Sequence, residues 1–206
     1  MNTRKEAAVF YFQQKKYLAV DSFMPVRFCD KIVDEYLDKP GIKDEQCPVD
    51  SDSFYGEPKC EWLLVEMMKQ VECLTGLKLH PTYSYMRVYR PGEELEWHRD
   101  RGACEVSATI NMGQSGDFEW PIWAADADDY TNTRPVSLPP GAAMIYRGMD
   151  VPHWRETFQP PTDSDWQVQL FLHYVDQYGP YAHLKFDGRT QLTAEEIECP
   201  FTLATR

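Results

Sequence analysis

The stretch MRVYRPGEELEWHRD, Met86 to Asp100, changes character twice within fifteen residues. Its opening continues the alternating run TYSYMRVY (Thr82–Tyr89), in which every second side chain falls on one face of an extended strand. Arg90-Pro91-Gly92 breaks that strand, because proline offers no amide proton to a ladder and glycine favours the tight turn. Beyond the turn stand His98 and Asp100, at positions i and i+2. On extended chain such side chains point the same way and can grip one ion together.

Working downstream, short strand candidates recur at Val106–Met112, Asp117–Trp123, Ala142–Arg147, a piece around His153, and Gln167–Tyr174. Stretches rich in turn formers separate them, among them MGQSGD, LPPG and QPPTDSD. Upstream, YLAVDSF (residues 17–23) alternates like a strand. Residues 27–38 set Phe28, Ile32, Val33, Tyr36 and Leu37 on one helical face, and Pro40-Gly41 ends that pattern. Residues 42–58 are polar and irregular, and residues 60–76 form a second amphipathic helix that closes at Gly76. Helices followed by strands, with no linker or repeat between them, predict one α+β domain over residues 1–206. The helical part is expected at about 24–80 and a jelly-roll or barrel core at about 82–178.

Composition narrows the partners. Lys and Arg number 21 against 33 Asp and Glu, a formal net charge of −12. Such a surface repels phosphates, so neither nucleic acid nor membrane is expected as a partner, and neutral or basic substrates are mildly preferred. The opening MNTRKEAAVFYFQQKKY carries charges throughout, unlike a secretory leader, and no apolar run reaches the length of a membrane span. Six cysteines without a C-x-x-C pair read as reduced thiols of a cytoplasmic protein. The acidic run DADD (126–129) reads as a solvated loop. The aromatic share of 14% is high and fits a β-rich core or a pocket for flat groups.

A lone H-x-D is commonplace, and its plain reading is a histidine in a surface salt bridge. Here a third ligand type follows: PPGAAMIYRGMDVPHW gives a Pro-Gly turn, a strand, a loop and His153, fifty-five residues after His98. Two imidazoles and one carboxylate on one face of an octahedron leave three positions open, as non-haem Fe(II) oxygenases require.

These stretches, in this order, resemble the 2-oxoglutarate- and Fe(II)-dependent dioxygenase superfamily, and within it the prolyl-4-hydroxylase-like branch. VYRPGEELEWHRD is similar to that branch's Tyr-x-Pro-Gly segment before H-x-D, LPPGAAMIYRG to its penultimate strand, and YLAVDSFMPVRFCDKIVDEYL to its entry strand and first helix. The resemblance implies a double-stranded β-helix with N-terminal helices packed on one sheet and Fe(II) at the mouth, held by His98, Asp100 and His153. It implies 2-oxoglutarate as co-substrate, O2 as oxidant, succinate and CO2 as co-products, and hydroxylation of a C–H bond in a peptidyl or small amino-acid-like substrate. Retention of Asp100 argues against halogenation, because related halogenases replace that carboxylate.

The branch usually carries a lysine about ten residues after the distal histidine, where this chain has Asp163, and no Lys or Arg occurs between Arg155 and Lys185. Arg155, two residues after His153 and so on its side of the strand, is expected to anchor the far carboxylate of 2-oxoglutarate, with Arg147 as the alternative. Tyr89 matches a family tyrosine that bonds the co-substrate. Ser107, Thr109 and Asn111 share one strand face, and Thr109 and Asn111 are taken as further co-substrate contacts. Trp97 and Trp120 are taken as substrate contacts, and His173 either as a strand-core histidine or as one that supports a metal ligand from behind. Demethylation or desaturation at the same iron, a cupin-like metal enzyme without 2-oxoglutarate, and a non-catalytic metal-binding β-barrel stay open as rivals. The oligomeric state is not legible.

Overall fold

Alternation in the second half of the chain becomes two antiparallel sheets. The computed structural model describes residues 3–43 and 51–196. In chain order the elements are α1 (Thr3–Lys15), β1 (Tyr17–Val20), α2 (Val26–Tyr36), β2 (Asp52–Tyr55), α3 (Pro58–Thr75), β3 (Leu79–Tyr89), β4 (Leu95–His98), β5 (Val106–Gln114), β6 (Ile122–Asp126), β7 (Asp129–Val136), β8 (Ala143–Tyr146), β9 (His153–Arg155) and β10 (Gln167–Asp176). The larger sheet runs β1-β8-β5-β10-β3-β2 and the smaller β4-β9-β6-β7. No ladder joins one sheet to the other among the described residues, so the expected closed barrel is an open pair of facing sheets.

The period of two sorts each strand of the larger sheet. Met86 and Val88, Ala108 and Ile110, and Leu170 and Leu172 form one buried core with Cys29, Ile32, Val33 and Tyr36 of α2 and Leu63, Leu64 and Val71 of α3. The helices therefore cover the outer face of that sheet. Helix α3 begins with Pro58 at its first turn and stops at Gly76, whose φ of +78° only glycine adopts without strain. The opposite face carries Tyr83, Tyr85, Arg87 and Tyr89, Ser107, Thr109 and Asn111, and Gln169, Phe171 and His173, and looks toward the smaller sheet. Leu170 lies fully buried in β10, between β3 and β5. Leu170→Ala should lower unfolding stability by roughly 2–5 kcal/mol, read from urea denaturation.

Three elements differ from expectation. Helix α1 carries its charges only at its ends, Arg4 to Glu6 and Lys15, and has little amphipathicity; the burial of Phe12 anchors it. Strand β7 is an exposed edge strand with no alternation to reveal it, and DADD is the tight connection of the β6–β7 hairpin. Strand β2 lies in the stretch read as irregular and pairs with β3. The strand predicted from Asp117 starts at Ile122, after Pro121. Cys29, Cys60, Cys73 and Cys104 are free thiols, and Cys47 and Cys199 lie outside the described residues. Among the described residues no helix is long and apolar enough to cross a membrane.

The Pro-Gly turn between β3 and β4 closes on itself. Glu93 accepts the Arg90 amide at 2.7 Å and is 1% exposed. Burial pushes its carboxyl up to about 7, outweighing that hydrogen bond and the nearby arginines. The folded chain thus holds a proton that the unfolded chain releases from about pH 4.5 upward, so this contribution to stability is lost as pH rises toward 7 and beyond. A tenfold difference in proton affinity between folded and unfolded chain is worth about 1.4 kcal/mol. Stability should therefore fall by on the order of 2 kcal/mol between about pH 5 and pH 8 through this group. Urea titrations of wild type and Glu93→Gln at both pH values isolate that difference.

Candidate metal centre

Strand register assembles the three predicted ligands. His98 ends β4 and His153 begins β9, and the two residues are direct partners in the antiparallel ladder, with ring centroids 4.3 Å apart. Asp100 follows β4 by two residues. Nδ1 of His98 lies 2.8 Å from the carbonyl of Glu96, and Nδ1 of His153 lies 3.0 Å from that of Val151. A carbonyl only accepts, so each Nδ1 carries the proton and each Nε2 is left with a lone pair. Both Nε2 atoms face one oxygen of Asp100, at 3.6 and 3.7 Å. The three ligand atoms lie within 4.8 Å of one another, as a single ion requires.

The surroundings keep this donor set ready. Burial alone would raise the Asp100 carboxyl and lower both imidazoles. The neighbouring histidines overcome that for Asp100, held at about 2, and the Asp100 hydrogen bond raises His98, while burial still lowers His153. The second Asp100 oxygen accepts from Ser107 Oγ at 3.0 Å, and Ser107 accepts from Nδ1 of His173 at 2.9 Å. Burial lowers His173 to about 4, so it is neutral at pH 7. His173 thus takes the second of its two expected roles, orienting the carboxylate through one serine. The Asp100 amide donates to the carbonyl of Gly148 at 2.9 Å.

A cavity of about 650 Å³ opens beside the triad, walled by Tyr83, Tyr85, Arg87 and Phe171 of the larger sheet. Arg155 is 2% exposed and on the same side of β9 as His153, but it is not among the residues that line this cavity. It donates to the carbonyl of Trp120 at 2.5 Å and sits 4.7 Å from that ring, while its Nε has no partner. No carboxylate among the described residues pairs with it, and burial lowers its pKa to about 10. A buried guanidinium with an orphaned donor fits an anion such as the far carboxylate of 2-oxoglutarate.

The other predicted contacts divide. Tyr89 is fully buried between the two arginines: Arg87 donates to its hydroxyl at 3.1 Å, and its ring meets Trp120 edge-on. Thr109 accepts from Gln169 at 2.7 Å on the inner face. The Asn111 amide is engaged at the strand end, with Leu138, Gln114 and Gly113. Arg147 follows the inward Tyr146, so alternation turns it outward between Glu105 and Asp150, at 3.1 and 2.9 Å; it is no co-substrate anchor. Neither tryptophan lines the cavity: Trp97, next to His98 in the chain, is 53% exposed, and Trp120 packs on Phe158. Sequence reading missed Arg87; its signal was an arginine in phase with Tyr83, Tyr85 and Tyr89 on the inward face of β3.

No family model and no curated protein matches the chain. Solved structures do. A Pseudomonas putida prolyl-4-hydroxylase superposes with a TM-score of 0.62 over 83% of this chain and 98% of its own, at 14% identity. HygX from Streptomyces hygroscopicus, with nickel and 2-oxoglutarate bound, gives 0.64 over 86% and 88%, at 11% identity. EctD from S. alaskensis, with bound iron, gives 0.63 over 85% and 77%, at 13% identity. The fold is thus one shared with a prolyl-4-hydroxylase and with two proteins solved holding iron, or nickel and 2-oxoglutarate. At these identities the likeness is one of fold.

Proposed function

We propose that the chain is an Fe(II)- and 2-oxoglutarate-dependent oxygenase of double-stranded β-helix type, acting on a small-molecule or peptide substrate. The observation that carries this reading is the conjunction on β9 of a buried ligand histidine and, two residues on, a buried arginine with no counter-anion among the described residues. His98, Asp100 and His153 hold the metal, each imidazole fixed by its backbone carbonyl and the carboxylate by Ser107. Arg155 takes the far carboxylate of 2-oxoglutarate, with Tyr89 and Thr109 on the same inner surface. When bound, iron and co-substrate supply oxidative decarboxylation to succinate and CO2 with transfer of one oxygen atom to a C–H bond. The free thiols suit a reducing compartment such as the cytoplasm.

Anaerobic addition of Fe(II) and 2-oxoglutarate should produce a weak visible charge-transfer band, and admission of oxygen should yield succinate. His98→Ala and Asp100→Ala should lose both. A wild-type protein giving neither band nor succinate overturns the reading.

A further inference from the structure

The wall of the cavity opposes the charge of the chain. Overall the chain carries −12, yet among the described residues the charged side chains lining the cavity are Lys43, Arg87, Arg99 and Arg101 against one acid, Asp100, which belongs to the metal site. Two of these cations have acidic partners. Arg101 makes a double hydrogen bond to Asp187, both arms at 2.7 Å, and Lys43 lies 3.6 Å from Asp52. Arg87 is buried against Ser53 and Tyr89. Arg99 differs from all three. It is exposed at the rim, its Nη1 donates to the neutral hydroxyl of Tyr130 at 3.2 Å, and no carboxylate among the described residues forms an ion pair with it.

The rim is also apolar where solvent would favour polar residues. Ile42 and Tyr55 line the cavity with 59% and 39% of their surface exposed. Outside the cavity lining, Arg99 lies over the ring of Tyr130, which meets Trp97 edge-on at 6.3 Å. Exposed apolar side chains gathered at a concave opening mark a surface that a ligand covers. Inside, Tyr85 and Phe171 offer two rings with centroids 6.3 Å apart. A cavity of this volume is of the size that takes drug-sized ligands.

We infer that the substrate is a small organic acid with a flat, apolar body, its anionic group held by Arg99 at the rim and its body laid against the aromatic wall. This rests on the oxygenase reading and replaces the preference for neutral or basic substrates drawn from net charge. The total charge governs approach from beyond a Debye length, whereas the groups lining the site govern what it holds. Trp97 does not line the cavity, so the substrate role expected of it forms no part of this proposal.

The test uses the anaerobic protein loaded with Fe(II) and 2-oxoglutarate, and three probes of one shape: 2-naphthoate, 2-naphthamide and 2-naphthylmethylamine. Appearance of the charge-transfer band before any probe is added establishes the oxygenase reading; its absence is a failure of that reading and not of the substrate class. Perturbation of the band and the thermal midpoint then report probe binding. The acid should bind about tenfold more tightly than the amide, the amine most weakly, and Arg99→Gln should bring acid and amide within about twofold. Equal binding of the three, preference for the amine, or no binding by the acid overturns the substrate class. An acid preference that survives in Arg99→Gln overturns the assignment of Arg99.

Discussion

Gly148→Ala should weaken metal binding sharply although it changes none of the three ligands. A Cβ at this position would stand 2.2 Å from Asp100 Oδ2, 2.4 Å from the Cys104 carbonyl and 2.7 Å from Asp100 Cβ. Real carbon atoms do not approach that closely, so something must move. The Cys104 carbonyl is backbone, and Gly148 itself is tied by its carbonyl to the Asp100 amide. The carboxylate is the part free to give way, and turning it breaks the Ser107 hydrogen bond and carries Oδ1 away from both Nε2 atoms. An overpacked methyl typically costs about 1–3 kcal/mol of stability, so the fold survives in a chain of this size while the ligand geometry does not. Affinity for Co(II), read from its visible absorption, should drop by about ten- to a hundredfold, the scale on which disturbed outer contacts act on metal sites. The thermal midpoint of the metal-free protein should fall only modestly. Wild-type Co(II) affinity in Gly148→Ala would show that the Asp100 position tolerates displacement.

This glycine also marks where sequence reading stops. His98, Asp100 and His153 were legible because a period of two puts i and i+2 on one side of extended chain, and a motif needs only that period. Gly148 stands in the same motif as His153, yet nothing in MIYRGMD says that its missing Cβ is occupied by a side chain forty-eight residues earlier. The helices α2 and α3 were legible from one-sided apolar spacing, whereas α1 and β7 were not, because neither buries a regular stripe. Arg87 and His173 sat in plain view on alternating strands. Their partners come from other strands, and the pairing of β10 with both β3 and β5 is a fact of topology that local pattern does not carry. The charge of the cavity is the sharpest case. Net charge is a sum over the surface, and the site is lined by the minority sign.

Arg155→Met should make the protein more stable and less able to bind 2-oxoglutarate, and the two effects have one cause. A guanidinium removed from water without an anion is unfavourable, and an apolar side chain of similar length relieves that cost. Replacing uncompensated buried charge by packing typically gains on the order of 1–4 kcal/mol, so the thermal midpoint of the free protein should rise. The co-substrate loses its counter-charge at the same time. Removing one side of a buried, hydrogen-bonded charge pair costs roughly 2–5 kcal/mol, which is a loss of about thirtyfold to several thousandfold in affinity. Pyruvate separates this from general damage to the site, because it keeps the keto-acid end of 2-oxoglutarate and lacks the far carboxylate. Wild type should prefer 2-oxoglutarate to pyruvate by that same factor, and Arg155→Met should bind the two alike, with pyruvate affinity unchanged from wild type. Arg87→Met supplies the contrast. Arg87 touches the Tyr89 hydroxyl and, unlike Arg155, lines the cavity, so it is the rival anchor for the far carboxylate. If Arg155 is the anchor, Arg87→Met keeps most of the discrimination; if discrimination is lost there and kept in Arg155→Met, the anchor is Arg87, and the stability gain of Arg155→Met stands as a purely structural effect.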